Sequence, residues 1–463
     1  MGKEKRAGNL RRNTKEFATP YTFMKALTKG DIATKLSFII CGAGNIIYRQ
    51  FAKGFLFLAV QIVYITYMIK SGLYNLYMLP SLGWLEQGEV FNEALGIYEY
   101  TTGHNSVLIL LYGVVTIFVS FLFILFWRTS IKSAYKAQCL TKEGKHVNSF
   151  IEDIKSLFNE NLQNLMMSIP LTGIIGLTIL PLIFMISMAF TNYSKVDNHL
   201  VLFDWVGLVN FKKVLSFKDA IGQQFWSVLS WTLVWAILAT GLNYILGLLL
   251  AIMINRQGTR FKKFWRFCFI LSIAIPQFVS LLIIRTMLNQ EGAINILLKS
   301  MGLIDESLPF FTSITWARVM VIVVNLWVGI PYTLLQATGI LQNIPHELYE
   351  AAKVDGANAF VTFFKITLPY MMFVMTPYLI TQFTGNVNNF NVIFLLSGGA
   401  PTPVGNSAGK TDLLVTWLYK LTVDQQYFNL GAVIGILTFV VLAVVALVTY
   451  RNAASYKDEE GFQ

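Results

Sequence analysis

Long apolar runs separated by short polar connections recur along this chain, and they limit its fold more than any other feature does. About 20 apolar residues cross the roughly 30 Å hydrocarbon core of a bilayer as one helix. Hydrophobic residues make up 55% of the chain and charged residues only 13%, which excludes an ordinary soluble protein. Runs of spanning length lie at about 54–69, 107–127, 167–190, 226–254, 267–288, 316–338, 370–394 and 431–450. The sequence therefore predicts an all-α polytopic membrane protein with eight transmembrane helices.

The positions of Lys and Arg predict how these helices are oriented, because cytoplasmic loops carry an excess of both residues. With the N-terminus inside, the inner segments hold 26 of the 36 Lys and Arg residues and the outer segments hold 8. The inner segments are 1–53, 128–166, 255–266, 339–369 and 451–463, and the outer ones are 70–106, 191–225, 289–315 and 395–430. Both termini are therefore predicted to be cytoplasmic. The net charge of +11 follows this asymmetry, so it does not indicate a nucleic-acid-binding surface.

The same pattern divides the chain into three segments. Residues 1–53 combine a basic tail with an apolar stretch, 36–48, that is interrupted by glycines and too short to span; it is predicted to be interfacial or re-entrant. Residues 54–166 supply two additional helices and a cytoplasmic connector. Residues 167–463 hold the other six helices, which are enough for a translocation core.

Side chains that could support other chemistry are scattered. The four His residues show no metal-ligand spacing and the three Cys residues form no framework, so we predict no metal, cofactor or catalytic site. Residues 405–411, GNSAGKT, resemble a phosphate-binding P-loop, but three residues separate the glycines where four are needed, and no strand precedes them. ATP hydrolysis by this chain is therefore not expected.

A partly polar stretch, 341–369, lies between two apolar runs and is predicted to form two short helices. Pro345 suits the first turn of the first helix, and Gly356 is placed to end it in the left-handed conformation. Ala351 and Ala352 leave one helical face nearly flat, so a partner surface could approach closely. The second helix, 357–367, leads to Pro369 and the next span.

The spacing of this stretch carries a family resemblance. Glu350-Ala351-Ala352, three residues, Gly356, nine residues, Ile366, one residue and Leu368-Pro369 resemble the EAA loop of ABC-importer permeases. The resemblance implies a cytoplasmic loop that fits a cleft on an ATP-hydrolysing subunit. It also implies the type I ABC-importer permease fold for residues 167–463. The coupling residues that it implies are Glu350, Ala351, Ala352, Asp355 and Gly356.

Two polar clusters lie inside the predicted spans. One is the run 325–332, NLWVGIPY, where Pro331 and Gly329 are expected to kink or open the helix. In the other, Gln382, Asn386 and Asn389 have spacings of i, i+4 and i+7, which align amides on one helical face. No span contains Asp or Glu. Neutral amides beside aromatic rings suit an uncharged polyhydroxylated ligand, although such amides also serve simply to hydrogen bond helices together.

The strings NLWVGIPY, EAAKVDGA, FFKITLP, NNF, LLSGGAP and TDLLVTWLYKL resemble the larger, eight-span membrane subunit of maltose/maltodextrin ABC importers. The resemblance implies a bacterial cytoplasmic-membrane location, an oligosaccharide substrate, a second homologous permease, two ATPase subunits and an extracytoplasmic sugar-binding protein. The substrate-binding residues that it implies are Asn325, Gly329, Tyr332, Gln382, Asn386 and Asn389. Gln382 departs from the serine of the best-known member, and the loop 191–225 is short where that member has a folded domain.

Two other classes of function stay open from the residues alone. A secondary sugar carrier or facilitator would act as a single chain, although proton coupling needs an ionisable group at depth that these spans lack. A membrane scaffold without a substrate is the third possibility.

Overall fold

The apolar runs form membrane-spanning helices in the computed structural model, which describes residues 21–93, 96–256 and 258–452. Seven described helices are long and apolar enough to span a membrane, and a bent helix pair brings the number to eight. The predicted fold class is confirmed by this count, and the chain adds one feature that the sequence did not predict, a two-stranded hairpin. Most of the predicted basic tail, residues 1–20, lies outside the described residues.

The chain divides into two compact units, the first running from the described N-terminus to Ser187 with His199–Trp205, and the second comprising Met188–Asn198 and the chain from Val206 onward. The helices of the first unit are α1 Phe23–Lys29, α2 Ile32–Leu36, α3 Ala43–Ile47, α4 Phe51–Tyr67, α5 Leu73–Met78, α6 Ser106–Lys142, α7 Phe150–Phe158, α8 Leu162–Ile174 and α9 Leu180–Met188. Single π-helical turns join α4 to α5 and α8 to α9, so each pair forms one span. Strands β1 Gly88–Asn92 and β2 Ile97–Thr101 pair antiparallel, with Gly88 opposite Thr101.

The apolar stretch 36–48 forms only short helical turns, and none of the described helices long enough to span a membrane includes it. It folds against α4 and α6 through hydrogen bonds to its backbone. The Nε2 atom of Gln61 donates to the carbonyl of Ile39 and its Oε1 accepts from the N–H of Cys41, at 2.8 and 2.7 Å. Trp127 donates to the carbonyl of Phe38. These side chains satisfy backbone groups of the irregular stretch that would otherwise lack partners.

The second unit contains the remaining helices. They are α10 Val209–Leu215, α11 Ala220–Asn255, α12 Lys262–Ala274, α13 Gln277–Met287, α14 Ala293–Ser300, α15 Ile314–Leu341, α16 His346–Val354, α17 Ala359–Thr362, α18 Leu368–Val387, α19 Phe390–Val392, α20 Leu414–Tyr419 and α21 Phe428–Asn452. Two apolar clusters hold α11, α15 and α18 together. The first surrounds Trp235 and Val321, and the second surrounds Leu334 and Met371.

The predicted span 267–288 is not one straight helix. It is the bent pair α12 and α13, whose axes differ by 87°. Ile275, between them, has an extended backbone with φ −80° and ψ 127°. Because a proline disfavours the α conformation of the residue before it, Pro276 accounts for the break.

Helix α15 runs unbroken from Ile314 to Leu341, so it does not open at Pro331, and a kink there stays a prediction. The helical backbone is instead interrupted at Asn388 and Asn389, where α18 ends and before α19 begins.

Candidate functional site

The stretch 341–369 forms a capped surface helix. Helix α16 begins at His346, directly after Pro345, and its left-handed C-terminal residue is Gly356, with φ +74°. The N–H of Gly356 donates to the carbonyl of Lys353, and the N–H of Ala357 donates to that of Ala352. This pair of bonds is a Schellman motif, which explains why the helix ends where the glycine predicts.

Several contacts hold α16 against the rest of the second unit. Ile344, just before it, is 3% exposed and belongs to the cluster around Leu334 and Met371. The hydroxyl of Tyr349 lies 3.1 Å from that of Thr367, in the π-helical turn that joins α17 to α18. The predicted second helix, 357–367, therefore begins at Ala359 and continues into the span.

The face of α16 that could meet a partner differs from the predicted one. Glu350, Ala351, Asp355 and Gly356 are exposed, but Ala352 is only 9% exposed and packs within this chain. The prediction that both alanines form an outward flat face is wrong for Ala352. Successive helical residues are rotated by about 100°, so the burial of one alanine turns its neighbour outward.

The two amide clusters meet in the second unit, but not as one helical row. Asn389 lies beyond the end of α18, so its alignment with Gln382 and Asn386 on one helical face is wrong. Its Nδ2 nevertheless donates to the Oδ1 of Asn325 on α15, at 3.4 Å. A local break at Asn388 places Asn389 over the neighbouring helix, where it connects the two predicted clusters.

Asn386 points toward α11. Its Nδ2 donates to the hydroxyl of Thr240 at 3.0 Å, and its carbonyl accepts from the indole of Trp235 at 3.0 Å. Asn386 is buried, whereas Gln382, one turn earlier, is partly exposed. Asn386 thus joins helices, and Gln382 keeps an accessible amide.

Tyr332, seven residues after Asn325 on α15, is 48% exposed. It lines a cavity of about 140 Å³ at the bend between α12 and α13, together with Trp327, Gln277 and Ser280. These groups are uncharged and combine aromatic rings with hydrogen-bonding side chains, which is the chemistry that carbohydrate surfaces need.

Thr240 and Asn243, both on α11, belong to the polar cluster and were not predicted. Asn243 is 7% exposed, and its amide occupies the space that a Cβ atom on Gly329 would need. Both residues are visible in the sequence as polar positions within the apolar run 226–254. Nothing local indicates that this face of α11 meets α15 and α18.

The P-loop-like stretch 405–411 lies in a loop whose backbone is hydrogen bonded within the chain. The Oε1 atom of Gln224 accepts from the backbone N–H groups of Ser407 and Ala408, at 2.9 and 3.1 Å. The N–H of Gly409 donates to Asp412, at 2.7 Å. The backbone donors that would surround a phosphate are therefore already used within the chain. Among the described residues, no group of His, Cys, Asp or Glu side chains could hold a metal ion.

Comparison with known proteins gives matches over most of the chain. Residues 243–455 match the family model described as binding-protein-dependent transport system inner membrane component. The galactooligosaccharides transport system permease protein GanP of Bacillus subtilis is 34% identical over 426 residues, covering 91% of this chain and 97% of the relative. The maltodextrin transport system permease protein MalC of Streptococcus pneumoniae serotype 4 is 34% identical over 438 residues, covering 91% and 96%.

A solved structure gives the same fold. It is a bacterial ABC transporter involved in the import of the acidic polysaccharide alginate, with a TM-score of 0.54 and 23% identity. The match covers 65% of this chain and 97% of the solved chain.

Proposed function

We propose that this chain, which belongs to the family of binding-protein-dependent transport system inner membrane components, forms half of a channel for maltodextrin-type sugars. It is a permease subunit of a bacterial ABC importer of oligosaccharides. Its role is transport rather than catalysis. A second homologous permease completes the channel, two ATPase subunits bind below it, and an extracytoplasmic binding protein delivers the sugar.

The observation that carries the coupling part of this proposal is the exposed, anchored helix α16. Glu350, Ala351 and Asp355 lie on its surface, and the Tyr349–Thr367 contact joins it to the helix that leads into α18. ATP binding and hydrolysis occur in the partner subunits. Closure of the ATPases would move α16, and α18 would carry that movement to the polar side chains at membrane depth.

The sugar path in this proposal passes the uncharged side chains of α15 and α18. Of the predicted binding residues, Tyr332 is exposed, Gly329, Gln382 and Asn389 are partly exposed, and Asn325 and Asn386 are buried. Each amide that binds a sugar hydroxyl would contribute on the order of 1 kcal/mol to binding.

A second candidate substrate is a galactooligosaccharide, since the Bacillus subtilis relative named for these sugars is as similar as the maltodextrin relative, at 34% identity each. Both are uncharged and rich in hydroxyl groups. The two candidates place the same demands on the side chains of the site.

The test is transport by the complete complex in proteoliposomes. Each candidate for the extracytoplasmic sugar-binding protein is assayed with a panel of maltodextrins and galactooligosaccharides. We expect ATP-dependent uptake of maltodextrins and stimulation of ATP hydrolysis by the loaded binding protein. If only galactooligosaccharides are taken up, they are the substrate instead of maltodextrins, and the function as an ABC importer still stands. Uptake by this chain alone, without ATPases, would instead establish a secondary carrier or facilitator.

A further inference from the structure

An apolar groove of about 620 Å³ lies in the first unit, between α6 and the span that α8 and α9 form with the turn between them. Its α6 wall consists of large apolar side chains. Its other wall uses one face of the α8–α9 span, where the lining residues recur every four positions: Ile175, Ile179, Ile183 and Ser187. No residue in this described part of the chain, Leu162–Met188, is buried. The packing of the span against α6 is therefore incomplete.

The chemistry of the groove excludes water and sugar as its ligand. Of the lining side chains, only Ser187 and Trp205 carry polar atoms, and both are hydrogen bonded within the chain. The hydroxyl of Ser187 donates to the carbonyl of Ile183 at 2.8 Å, and the indole of Trp205 donates to the carbonyl of Leu79 at 3.0 Å. An apolar cavity that offers no polar partner stays dry and takes apolar ligands. The groove therefore suits hydrocarbon.

The dimensions of the groove fit lipid chains better than a helix. On α6 it extends from Leu110 to Leu125, which corresponds to about 22 Å along the helix. A further helix of that length, about 10 Å wide with its side chains, would fill about 1,700 Å³, far more than the groove offers. One hydrocarbon chain of the same length, about 4 Å wide, would fill about 300 Å³. The groove has room for the two chains of one phospholipid.

Two cations continue the α6 wall beyond the groove. Arg128 follows Ile117 by eleven residues and Lys132 follows Phe121 by eleven, and both Ile117 and Phe121 line the groove. Eleven residues make about three helical turns, so both cations lie on the groove face of α6. Arg128 is about 4.5 Å beyond Leu125 along the helix axis. Both cations are exposed, and neither forms an ion pair with a described residue.

Contact with α1 fixes the position of Arg128. Its Cζ atom lies 5.4 Å from the centroid of the Phe23 ring. Lys and Arg at the cytoplasmic end of a span are common as orientation signals. Here they also lie one turn beyond an apolar groove, at the end that is predicted to be cytoplasmic. Basic side chains at this depth attract anionic lipids, so charge complementarity selects a lipid with a negative headgroup.

We propose that an anionic phospholipid occupies this groove. Its acyl chains lie between α6 and the α8–α9 span, and its phosphate group binds Arg128 and Lys132. The lipid thereby completes the packing of a span that has no buried residue of its own. The proposal goes beyond transport, and lipid binding can be measured without any sugar, so this proposal and the proposed function can fail separately.

The test measures binding of phosphatidylglycerol to the delipidated, assembled complex by native mass spectrometry, with phosphatidylcholine of the same acyl chains as the reference. Phosphatidylglycerol should bind about thirtyfold more tightly, because two cations contact its negative headgroup. The double variant Arg128→Gln with Lys132→Gln should lose this preference. Lys155→Gln, at an exposed cation of α7, is the control and should keep it. Equal binding of the two lipids to the wild type would overturn the proposal.

A second pair of variants tests the groove itself. Ile179→Trp adds bulk inside the groove and should weaken phosphatidylglycerol binding at least tenfold. Leu177→Trp is the matched control, since Leu177 lies in the same turn but is 82% exposed and does not line the groove. Equal binding by the two tryptophan variants would contradict the proposal. Binding to the isolated chain but not to the assembled complex would show that the second permease covers the groove, and would also overturn it.

Discussion

The side-chain amide of Asn243 on α11 occupies the space beside Gly329 on α15 that a Cβ atom would need. Two long helices therefore approach closely at a point where one carries no side chain and the other carries a polar one. Small residues permit such close approach between membrane helices, and amides then bond across the interface. The glycine that the family resemblance implied as a sugar contact thus has a packing role within this chain.

Gly329→Ala should destabilise the protein, because the added methyl group would overlap the Asn243 amide. A misfit of this size in a packed interior costs about 1–3 kcal/mol. Thermal unfolding of the purified protein measures it. Gly339→Ala in the same helix is the control, because a Cβ there meets no described atom within 4 Å. Equal unfolding temperatures for the two variants would contradict the packing role.

Charges placed at the two neighbouring alanines of α16 should have different effects. Ala351→Asp puts a charge on the exposed face, so the chain should fold normally but lose ATPase binding and transport. Ala352→Asp buries a charge within this chain and should reduce the yield of folded protein. Co-purification of the ATPases and thermal unfolding distinguish the two outcomes. If Ala351→Asp retains its ATPases and transports normally, α16 is only a connector.

Single cysteines should report the orientation of the helices. Cysteines at Gly88 in β1 and at Ser307 should react with an impermeant thiol reagent from outside, and a cysteine at Gly258 should not. Gly88 and Gly258 form a matched pair, since a Cβ at either meets no described atom within 4 Å. The three native cysteines are replaced first. Labelling of Gly258→Cys from outside would invert the predicted orientation.

Substitutions at accessible residues of the predicted sugar site should change the KM for sugar, whereas substitutions at its buried residues should lower the unfolding temperature. Tyr332→Ala and Gln382→Ala should each raise the KM for sugar several-fold to tenfold, because Tyr332 is exposed and Gln382 is partly exposed, so that a ligand could reach both. Asn386→Ala removes the bond to Thr240 and should lower the unfolding temperature. Phe439→Ala, at an exposed ring of α21, serves as the control. A fall in stability with an unchanged KM for the first two variants would remove them from the site.

A buried ion pair lies beside the loop between α19 and α20. Asp412 accepts hydrogen bonds from Lys420 at 2.6 Å, from Thr416 at 2.9 Å and from the N–H of Gly409 at 2.7 Å. Lys420→Met leaves the carboxylate uncompensated and should destabilise the protein by about 3–5 kcal/mol. The exposed Lys299 provides the control, since Lys299→Met should have little effect.

Adding Asp412→Asn to Lys420→Met should restore part of that stability, because the uncompensated charge is then removed. Thermal unfolding of the two single variants and the double variant measures the recovery. A double variant no more stable than Lys420→Met would show that the carboxylate charge is not the cause.

The polar clusters show how far sequence reasoning extends into the site. Composition and spacing identified Asn325, Gln382, Asn386 and Asn389 as unusual, since amides in apolar runs need partners. Helical periodicity then placed the last three on one face, which fails because α18 ends before Asn389. Periodicity applies only while the helix continues, and an interior break that no proline or glycine marks is not readable from spacing.

The sequence by itself determined the eight apolar runs, the Lys and Arg asymmetry, the spacing of the EAA loop and the left-handed end of its helix at Gly356. These features depend on residues close together in the chain, where hydrophobicity and backbone preference act locally. Only the tertiary structure decided that Ala352 faces inward, that Asn386 bonds Thr240 and that Asn243 packs on Gly329. In a membrane helix that is apolar on every side, hydrophobicity does not select the packed face. Close packing and hydrogen bonds between distant residues make that choice.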